Sequence, residues 1–268
     1  MLSDHDLNLI PPPKDAMIII LFSYVFFFIS GMTLLALVGK KYALLGEALL
    51  IVPAALIVWS KKLDFPRIFR LRAVPLPVWL YSGFLTLAVF VLGNEMDIIV
   101  NLIFPMPEAF VNEIIEAVAI RSVRDGVIVV LSGVFFAALF EEMLFRGMLQ
   151  QSLEIHREPA MAMVLTAVLF AISHVNPWAA LQILFLGLVL GYLTWKSDSI
   201  IPAMILHGGN NLLSIIFMNL PEDNLKWYIR QEHVRPTWLL LSVAVGLPAL
   251  MLFQRTCNQI KSSKSLPF

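Results

Sequence analysis

The sequence is poor in charged residues and in cysteine. Only 14% of its 268 residues are Asp, Glu, Lys or Arg, against about 25% in a typical soluble domain. A single cysteine, Cys257, excludes an internal disulfide and a zinc-binding cysteine cluster. Nineteen basic residues balance nineteen acidic ones, so no net charge draws the protein toward nucleic acid. These shortages argue against an ordinary soluble enzyme and against a nucleic-acid partner.

Apolar residues are abundant instead. They make up 59% of the chain, and the mean hydropathy is +0.82, so the excess apolar surface requires a lipid solvent. Backbone groups in lipid must be satisfied within each segment, which makes runs of this length helices. We therefore predict an all-α polytopic membrane protein, one bundle of about eight transmembrane helices. The predicted spans are 16–38, 42–59, 76–92, 126–140, 160–173, 178–195, 200–218 and 238–253.

The flanks of these spans predict domain limits and orientation. We expect a cytoplasmic segment at 1–15, a single transmembrane domain at 16–254 and a cytoplasmic tail at 255–268. Eleven Lys and Arg residues on one side against seven on the other favour cytoplasmic termini. Lys40 and Lys41 argue the other way. The acidic, proline-rich start does not resemble a cleaved signal peptide, and we expect a prokaryotic inner membrane.

Ionisable residues inside the spans are the first functional signal, because each costs about 2.5–3.5 kcal/mol at membrane depth. Glu141, Glu142 and Arg146 close the fourth run. Residues four apart share a helix face, so Glu142 should pair with Arg146. Glu141 is rotated by about 100° from Glu142 and lacks a local partner. A buried carboxylate of that kind suits a general base. Alternatively, all three form a structural network.

Two later spans carry histidines. His207 and Asn211 share a helix face and could donate hydrogen bonds to an oxyanion. Gly208 and Gly209 lie between them, so a packing seam is an equally open interpretation. His174 ends the fifth run and, taken alone, is typical of an interfacial residue.

A third acid and the possibility of a bound metal complete this set of ionisable residues. Glu47 lies about a turn and a half into its run, within reach of the headgroups, and we assign it no role. Glu141, His174 and His207 are a zinc-type ligand set. They are equally a base, a water-orienting group and an oxyanion donor without metal. The soluble zinc-protease signature His-Glu-x-x-His is absent from the sequence.

Three motifs resemble a known family. Glu-Glu-x-x-x-Arg at 141–146, Phe-x-x-x-His at 170–174 and His-x-x-x-Asn at 207–211 occur in this order. In order and rough separation they resemble the CAAX protease and bacteriocin-processing (CPBP, or Abi) family. These are intramembrane proteases related to the type II CAAX prenyl endopeptidase. The resemblance covers about residues 120–215 and implies an eight-helix bundle with its site in a cavity within the membrane.

The resemblance also implies the roles of individual residues. By it, the catalytic residues are Glu141, His174, His207 and Asn211, and the supporting residues are Glu142, Arg146 and Phe170. The first two would activate the water, and the other two catalytic residues would form the oxyanion hole. Family members have been called both metalloproteases and glutamate-dependent proteases. We favour the mechanism without a cofactor; in the alternative, Glu141, His174 and His207 would hold a divalent metal such as zinc.

The sequence thus predicts an intramembrane endopeptidase that acts on a membrane-associated, hydrophobic or lipidated protein or peptide. Its other expected partner is membrane lipid. Two other functions remain open, a non-catalytic immunity or scaffold protein and a proton-coupled transporter. One expectation strains the prediction. At 1.5 Å per residue, Glu141 lies about 22 Å from the outer start of its span and His174 about 21 Å from the inner start of its own. A hydrocarbon core of about 30 Å would leave them at different depths.

Overall fold

The computed structural model describes residues 10–264, which are almost entirely helical. The first nine residues of the predicted amino-terminal segment and the last four of the predicted tail lie outside the described residues. The α-helices are α1 (Pro13–Val38), α2 (Lys40–Ala43), α3 (Val52–Ser60), α4 (Phe65–Ile68), α5 (Leu76–Ile103), α6 (Glu108–Val118), α7 (Val123–Val129), α8 (Ala137–Glu142), α9 (Gln151–His156), α10 (Pro159–Ser173), α11 (Ala180–Ser197), α12 (Ile201–Met218) and α13 (Pro236–Lys264). One short antiparallel hairpin, β1 (Ile229–Arg230) and β2 (His233–Val234), lies between α12 and α13.

The predicted fold class is confirmed. Within residues 10–264, seven helical segments are long and apolar enough to cross a membrane. The predicted fifth span is α10, an apolar helix of only 15 residues. Many large apolar side chains on the outer faces of the bundle are exposed, as expected where lipid is the solvent. The chain is a multi-pass integral membrane protein.

The predicted end of the fourth span is wrong. One helical segment runs from Val123 to His156, 34 residues in all, and Glu141 and Glu142 lie in its middle. Residues 141–153 are all buried, so the charges mark the inside of the bundle and not the membrane surface. The strain over depth disappears with this correction, because Glu141 and His174 meet in the structure.

This long helix is irregular around Glu141. Two π-helical segments, Val130–Phe136 and Met143–Gln150, flank α8. Single-turn π segments are frequent at functional sites because they re-aim side chains. The chain before α3 is irregular as well, since Leu44–Leu49 forms a 3₁₀ helix. That 3₁₀ helix packs against α1 and against the first π-helical segment.

The predicted polar connection 104–125 contains α6 and binds the two lysines that argued against the predicted orientation. Lys40 Nζ lies 3.0 Å from a carboxylate oxygen of Glu113. Lys41 Nζ donates to three carbonyls at the carboxyl end of α6, where the helix leaves acceptors unpaired. Both lysine ammonium groups are therefore bound by α6 and the residue that follows it.

Candidate active site

A fully buried ion pair forms the base of the site. Arg146 Nη1 donates to Glu142 Oε1 at 2.9 Å, and both side chains are completely buried. Arg146 Nη2 donates to the carbonyl of Gly187 on α11 at 3.2 Å. The guanidinium carbon lies 4.1 Å from the ring centroid of Phe170, a cation–π contact. The predicted Glu142–Arg146 pair therefore forms and also links three helical segments.

His207 is held by the same carboxylate. Its Nδ1 lies 2.9 Å from Glu142 Oε1. The same Oε1 atom accepts from Arg146, so in this contact the carboxylate is the acceptor and Nδ1 carries the hydrogen. The other ring nitrogen, Nε2, lies 3.9 Å from Glu141 Oε2. In the neutral imidazole, Nε2 is then an acceptor.

His174 is oriented in the same way by a different group. It follows the last residue of α10, and its Nδ1 lies 2.8 Å from the carbonyl oxygen of Phe170. A carbonyl only accepts, so Nδ1 must donate and Nε2 is the free acceptor in the neutral ring. Nε2 lies 3.9 Å from Glu141 Oε2. With 29% of its side chain exposed, against 4% for His207, His174 is the more accessible imidazole.

Phe170 positions both imidazoles. Its ring centroid lies 4.6 Å from that of His174 and 5.8 Å from that of His207, both edge to face. The ring is fully buried, and the Arg146 guanidinium packs against its face. Phe170 thereby fixes the angle between the two rings, which agrees with a supporting role.

Three acceptors therefore face one another in what we call the acid–imidazole cluster, Glu141, His174 and His207. Glu141 Oε2 is buried and has no hydrogen-bond partner among the described residues. Both 3.9 Å separations are too long for a direct hydrogen bond. A water oxygen about 2.8 Å from each atom would join such a pair at an angle of about 90°. The cluster can therefore hold a water between a carboxylate and an imidazole.

The same distances test the alternative metal site. Ligand atoms about 2.0–2.1 Å from a tetrahedral zinc are about 3.4 Å apart, and the separations here are 3.9 Å. Within residues 10–264, no three His, Cys, Asp or Glu side chains are close enough together to hold a metal ion. As placed, Glu141, His174 and His207 do not fit a metal.

Asn211 lies apart from these contacts. Its Nδ2 donates to the carbonyl of Gly133 at 2.8 Å, and Gly133 belongs to the first π-helical segment of the long helix that carries Glu141. One N–H of the amide is thus committed to the backbone. Among the described residues, no hydrogen bond joins Asn211 to the acid–imidazole cluster, and the second N–H of its amide is free for another acceptor.

Two further residues are electrostatic neighbours of Glu141, Tyr24 on α1 and Glu47 on the 3₁₀ helix. Sequence reasoning did not name Tyr24 and assigned Glu47 no role. One carboxylate oxygen of Glu47 is buried and has no hydrogen-bond partner among the described residues. Its electrostatic neighbour is Glu141. The hydroxyl of Tyr24 is buried as well, with Glu141, Glu47 and Arg146 as charged neighbours. The available signal for Glu47 was an acid inside a predicted span, the criterion that selected Glu141.

Comparison with known proteins agrees with the motifs. The family model described as type II CAAX prenyl endopeptidase Rce1-like matches residues 123–213, about a third of the chain. The match begins with the long helix and includes all three motifs. Searches of curated proteins and of solved structures gave no match. This match agrees with the resemblance that the three motifs indicated, and it makes residues 123–213 similar to the type II CAAX prenyl endopeptidase family.

Proposed function

We propose that the protein is an intramembrane endopeptidase in which Glu141 and His174 activate the attacking water. The observation that carries the proposal is the convergence of Glu141 Oε2 with the Nε2 atoms of both imidazoles, at 3.9 Å each. The carboxylate is buried, one imidazole is partly open to solvent, and the other is backed by an ion pair. A base and a second group that orients the same water are the components that amide hydrolysis requires.

Charge balance assigns a protonation state to His207. Glu142 and Arg146 neutralise each other, so an ionised Glu141 leaves one negative charge in the site. With both imidazoles neutral, the acid–imidazole cluster would also contain three acceptors and no donor. A second proton on the His207 ring neutralises the excess negative charge and supplies the missing donor. Glu142, 2.9 Å from Nδ1, stabilises the resulting imidazolium. Its Nε2–H then becomes a donor, which an oxyanion-stabilising group must be.

The reaction follows from these assignments. Glu141 takes a proton from the water as the water oxygen attacks the carbonyl carbon of the substrate. The negative charge that develops on the carbonyl oxygen is stabilised by Nε2–H of His207 and by the second amide N–H of Asn211. The C–N bond then breaks as the leaving nitrogen takes a proton, and the proton that Glu141 removed from the water replaces the one that was given up. No step needs a metal; a divalent metal held by Glu141, His174 and His207 is the alternative cofactor.

The surroundings support a hydrophobic or lipidated substrate. An open groove with a volume of about 610 Å³ lies along α10 and α11, next to the turn that follows His174. Its lining is almost entirely apolar and includes Ala171 and Val175 on either side of that histidine. We propose that the groove receives an apolar chain of the substrate. We further propose a prokaryotic inner membrane and cytoplasmic termini.

The first prediction is that Glu141→Gln abolishes proteolysis without loss of folded protein. The amide keeps the shape of the side chain but cannot take the proton, and removal of a general base costs about 10²–10⁴ in rate. Cleavage of a quenched, prenylated CAAX peptide in proteoliposomes and new protein carboxyl termini in cells both measure it. Glu108→Gln, an exposed acid at the start of α6, is the matched control.

Other outcomes would identify other functions. Retained turnover in Glu141→Gln would eliminate glutamate-base catalysis. Unchanged biological activity in that variant, with no cleavage by wild type, would favour the immunity or scaffold protein. Proton-coupled uptake into proteoliposomes would favour the transporter.

The second prediction concerns metal. We expect the purified enzyme to keep its activity after exhaustive treatment with a chelator, because the proposed water is held by protein groups. Elemental analysis should find less than one equivalent of any transition metal. Loss of activity that zinc restores would instead assign Glu141, His174 and His207 as ligands.

A further inference from the structure

Glu47 is a carboxyl group in the site for which the proposed mechanism has no use. It lies on the 3₁₀ helix Leu44–Leu49, outside the segment that matches the family model. One of its oxygens is buried without a hydrogen-bond partner among the described residues. Its charged neighbour is Glu141. A carboxyl group so placed is expensive to bury and calls for a reason.

Packing directs this carboxyl toward the site. The 3₁₀ helix lies against α1, against the π-helical segment Val130–Phe136 and against α8, which carries Glu141. A Cβ atom on Gly46 would lie 3.4 Å from the Cα of Gly31 on α1. That approach places the 3₁₀ helix next to α1, and one oxygen of the adjacent Glu47 is buried in this packing.

Tyr24 of α1 is an electrostatic neighbour of both acids. Its hydroxyl is buried beside the side chain of Ser173, and both Glu47 and Glu141 are among its charged neighbours. Its ring packs edge to face on Phe145, with centroids 6.0 Å apart, next to Arg146. A hydroxyl can accept a proton from one acid and pass its own to another.

Charge balance determines the form of Glu47. Arg146 is committed to Glu142, and the two imidazoles face Glu141. No cation among the described residues pairs with Glu47. Two carboxylates cannot both be charged in a low-dielectric site that lacks a free cation. While Glu141 is the ionised base, Glu47 is the neutral carboxylic acid.

From this arrangement we propose that Glu47 is the general acid of the site and donates its proton to the leaving nitrogen. Glu141 removes a proton from the water as the C–O bond forms. When the C–N bond breaks, the carboxyl of Glu47 protonates the amine and becomes a carboxylate. The proton on Glu141 then passes through the hydroxyl of Tyr24 to Glu47, which restores both acids. Each cycle consumes one water and needs no other reactant.

The inference rests on the proposed function, and its first test separates the acid from a structural role. After mass spectrometry has mapped the cleavage site in the prenylated CAAX peptide, an activated aryl ester replaces that amide. An aryloxide leaves without a proton, so a general acid matters for the amide only. Glu47→Gln should lower kcat for the amide by about 10²–10⁴, with KM unchanged and ester hydrolysis within about threefold of wild type. Glu141→Gln should lose both.

Asp97→Asn is the matched control. Asp97 lies on α5 and is another acid with one buried, unpartnered oxygen, and the Asn substitution should leave the turnover of both substrates unaffected. Equal losses on amide and ester in Glu47→Gln would overturn the proposal, as would full amide activity in that variant. Tyr24→Phe should slow the return of the proton and lower kcat at unchanged KM.

An infrared measurement needs no substrate. Wild type minus Glu47→Gln should show the carbonyl band of a protonated carboxyl group at neutral pH, and wild type minus Glu108→Gln, which changes an exposed acid, should not. Absence of that band in the first difference would overturn the inference. If wild type fails to cleave the prenylated peptide, the proposed substrate is wrong, and the infrared result still decides the state of Glu47.

Discussion

Two stretches of the chain contain a Glu–Arg pair in opposite surroundings. Residues 141–153 are all buried, whereas none of residues 104–125 is buried. In the first stretch, Arg146 and Glu142 are completely enclosed. In the second, Arg121 Nη2 lies 2.5 Å from Glu116 Oε1, with 69% and 48% of the side chains exposed. The chemistry of the two pairs is the same, so their burial sets what each contributes.

The buried pair adds little net stability, but the fold depends on both partners being present. Removing one partner of such a pair leaves a charge in a low-dielectric interior, while replacing both by apolar groups is often neutral. The exposed pair competes with water and salt, and pairs of that kind contribute little. In the buried stretch the pair also holds His207, which links its stability to the site.

The largest effect should come from Arg146→Met. This change strands the Glu142 carboxylate, and we expect a loss of about 3–5 kcal/mol in the free energy of unfolding, measured in detergent by denaturant titration. The double variant Glu142→Leu with Arg146→Met should recover most of that loss. It should nevertheless be inactive, because His207 Nδ1 loses its acceptor.

Two results would contradict this reasoning. If Arg146→Met is as stable as wild type, Glu142 is not dependent on its partner. If the folded double variant cleaves substrate at the wild-type rate, Glu142 does not stabilise the His207 imidazolium. The second result would leave the packing argument intact and would change only the mechanism.

A smaller effect should follow from Gly147→Ala, in the same buried stretch. A Cβ atom there would lie 2.7 Å from the Cα of Phe69, a clash with backbone that no rotamer change relieves. We expect destabilisation of about 1–3 kcal/mol. Gly83→Ala on α5 is the control, since its Cβ would meet nothing within 4 Å and should be neutral or stabilise the helix by up to about 1 kcal/mol. Equal unfolding midpoints for the two variants would contradict the packing argument.

Apolar runs and residue spacing predicted most of the fold. Continuous hydrophobic stretches indicated the spans because lipid leaves the backbone no other partner. The i, i+4 spacing predicted the Glu142–Arg146 pair, and the three motifs predicted the family. The end of the fourth span was wrong because the sequence rule treats charge as a membrane boundary. Arg146 is instead buried inside the bundle, where it contacts Gly187 and Phe170. Both residues are distant in sequence, so the rule does not take them into account.

The rest of the site depends on contacts that spacing does not encode. Glu47 becomes an electrostatic neighbour of Glu141 because a 3₁₀ helix packs on α1 and on a π-helical segment, and neither irregularity has a sequence signature. The tautomers of His174 and His207 depend on a carbonyl and a distant carboxylate. Asn211 shares a helix face with His207 as expected, yet its amide binds Gly133.

The smallest effect should come from Glu116→Gln in the exposed stretch. The hydrogen bond from Arg121 lowers the pKa of Glu116, and the same contact raises the pKa of Arg121. A carboxyl group whose pKa is lowered by folding stabilises the fold at pH values above its ordinary pKa. That stabilisation is lost as the pH falls through the lowered pKa. Because both groups are in water, screening should reduce the difference below what a melting curve resolves at physiological salt.

Any difference that is measured should shrink on acidification and on addition of salt. Arg121→Gln should behave in the same way, since each variant removes the same pair. A shift in unfolding midpoint as large as that of Gly147→Ala would show that residues 104–125 carry stability despite their exposure. The contrast between the two stretches would then have to be explained by something other than burial.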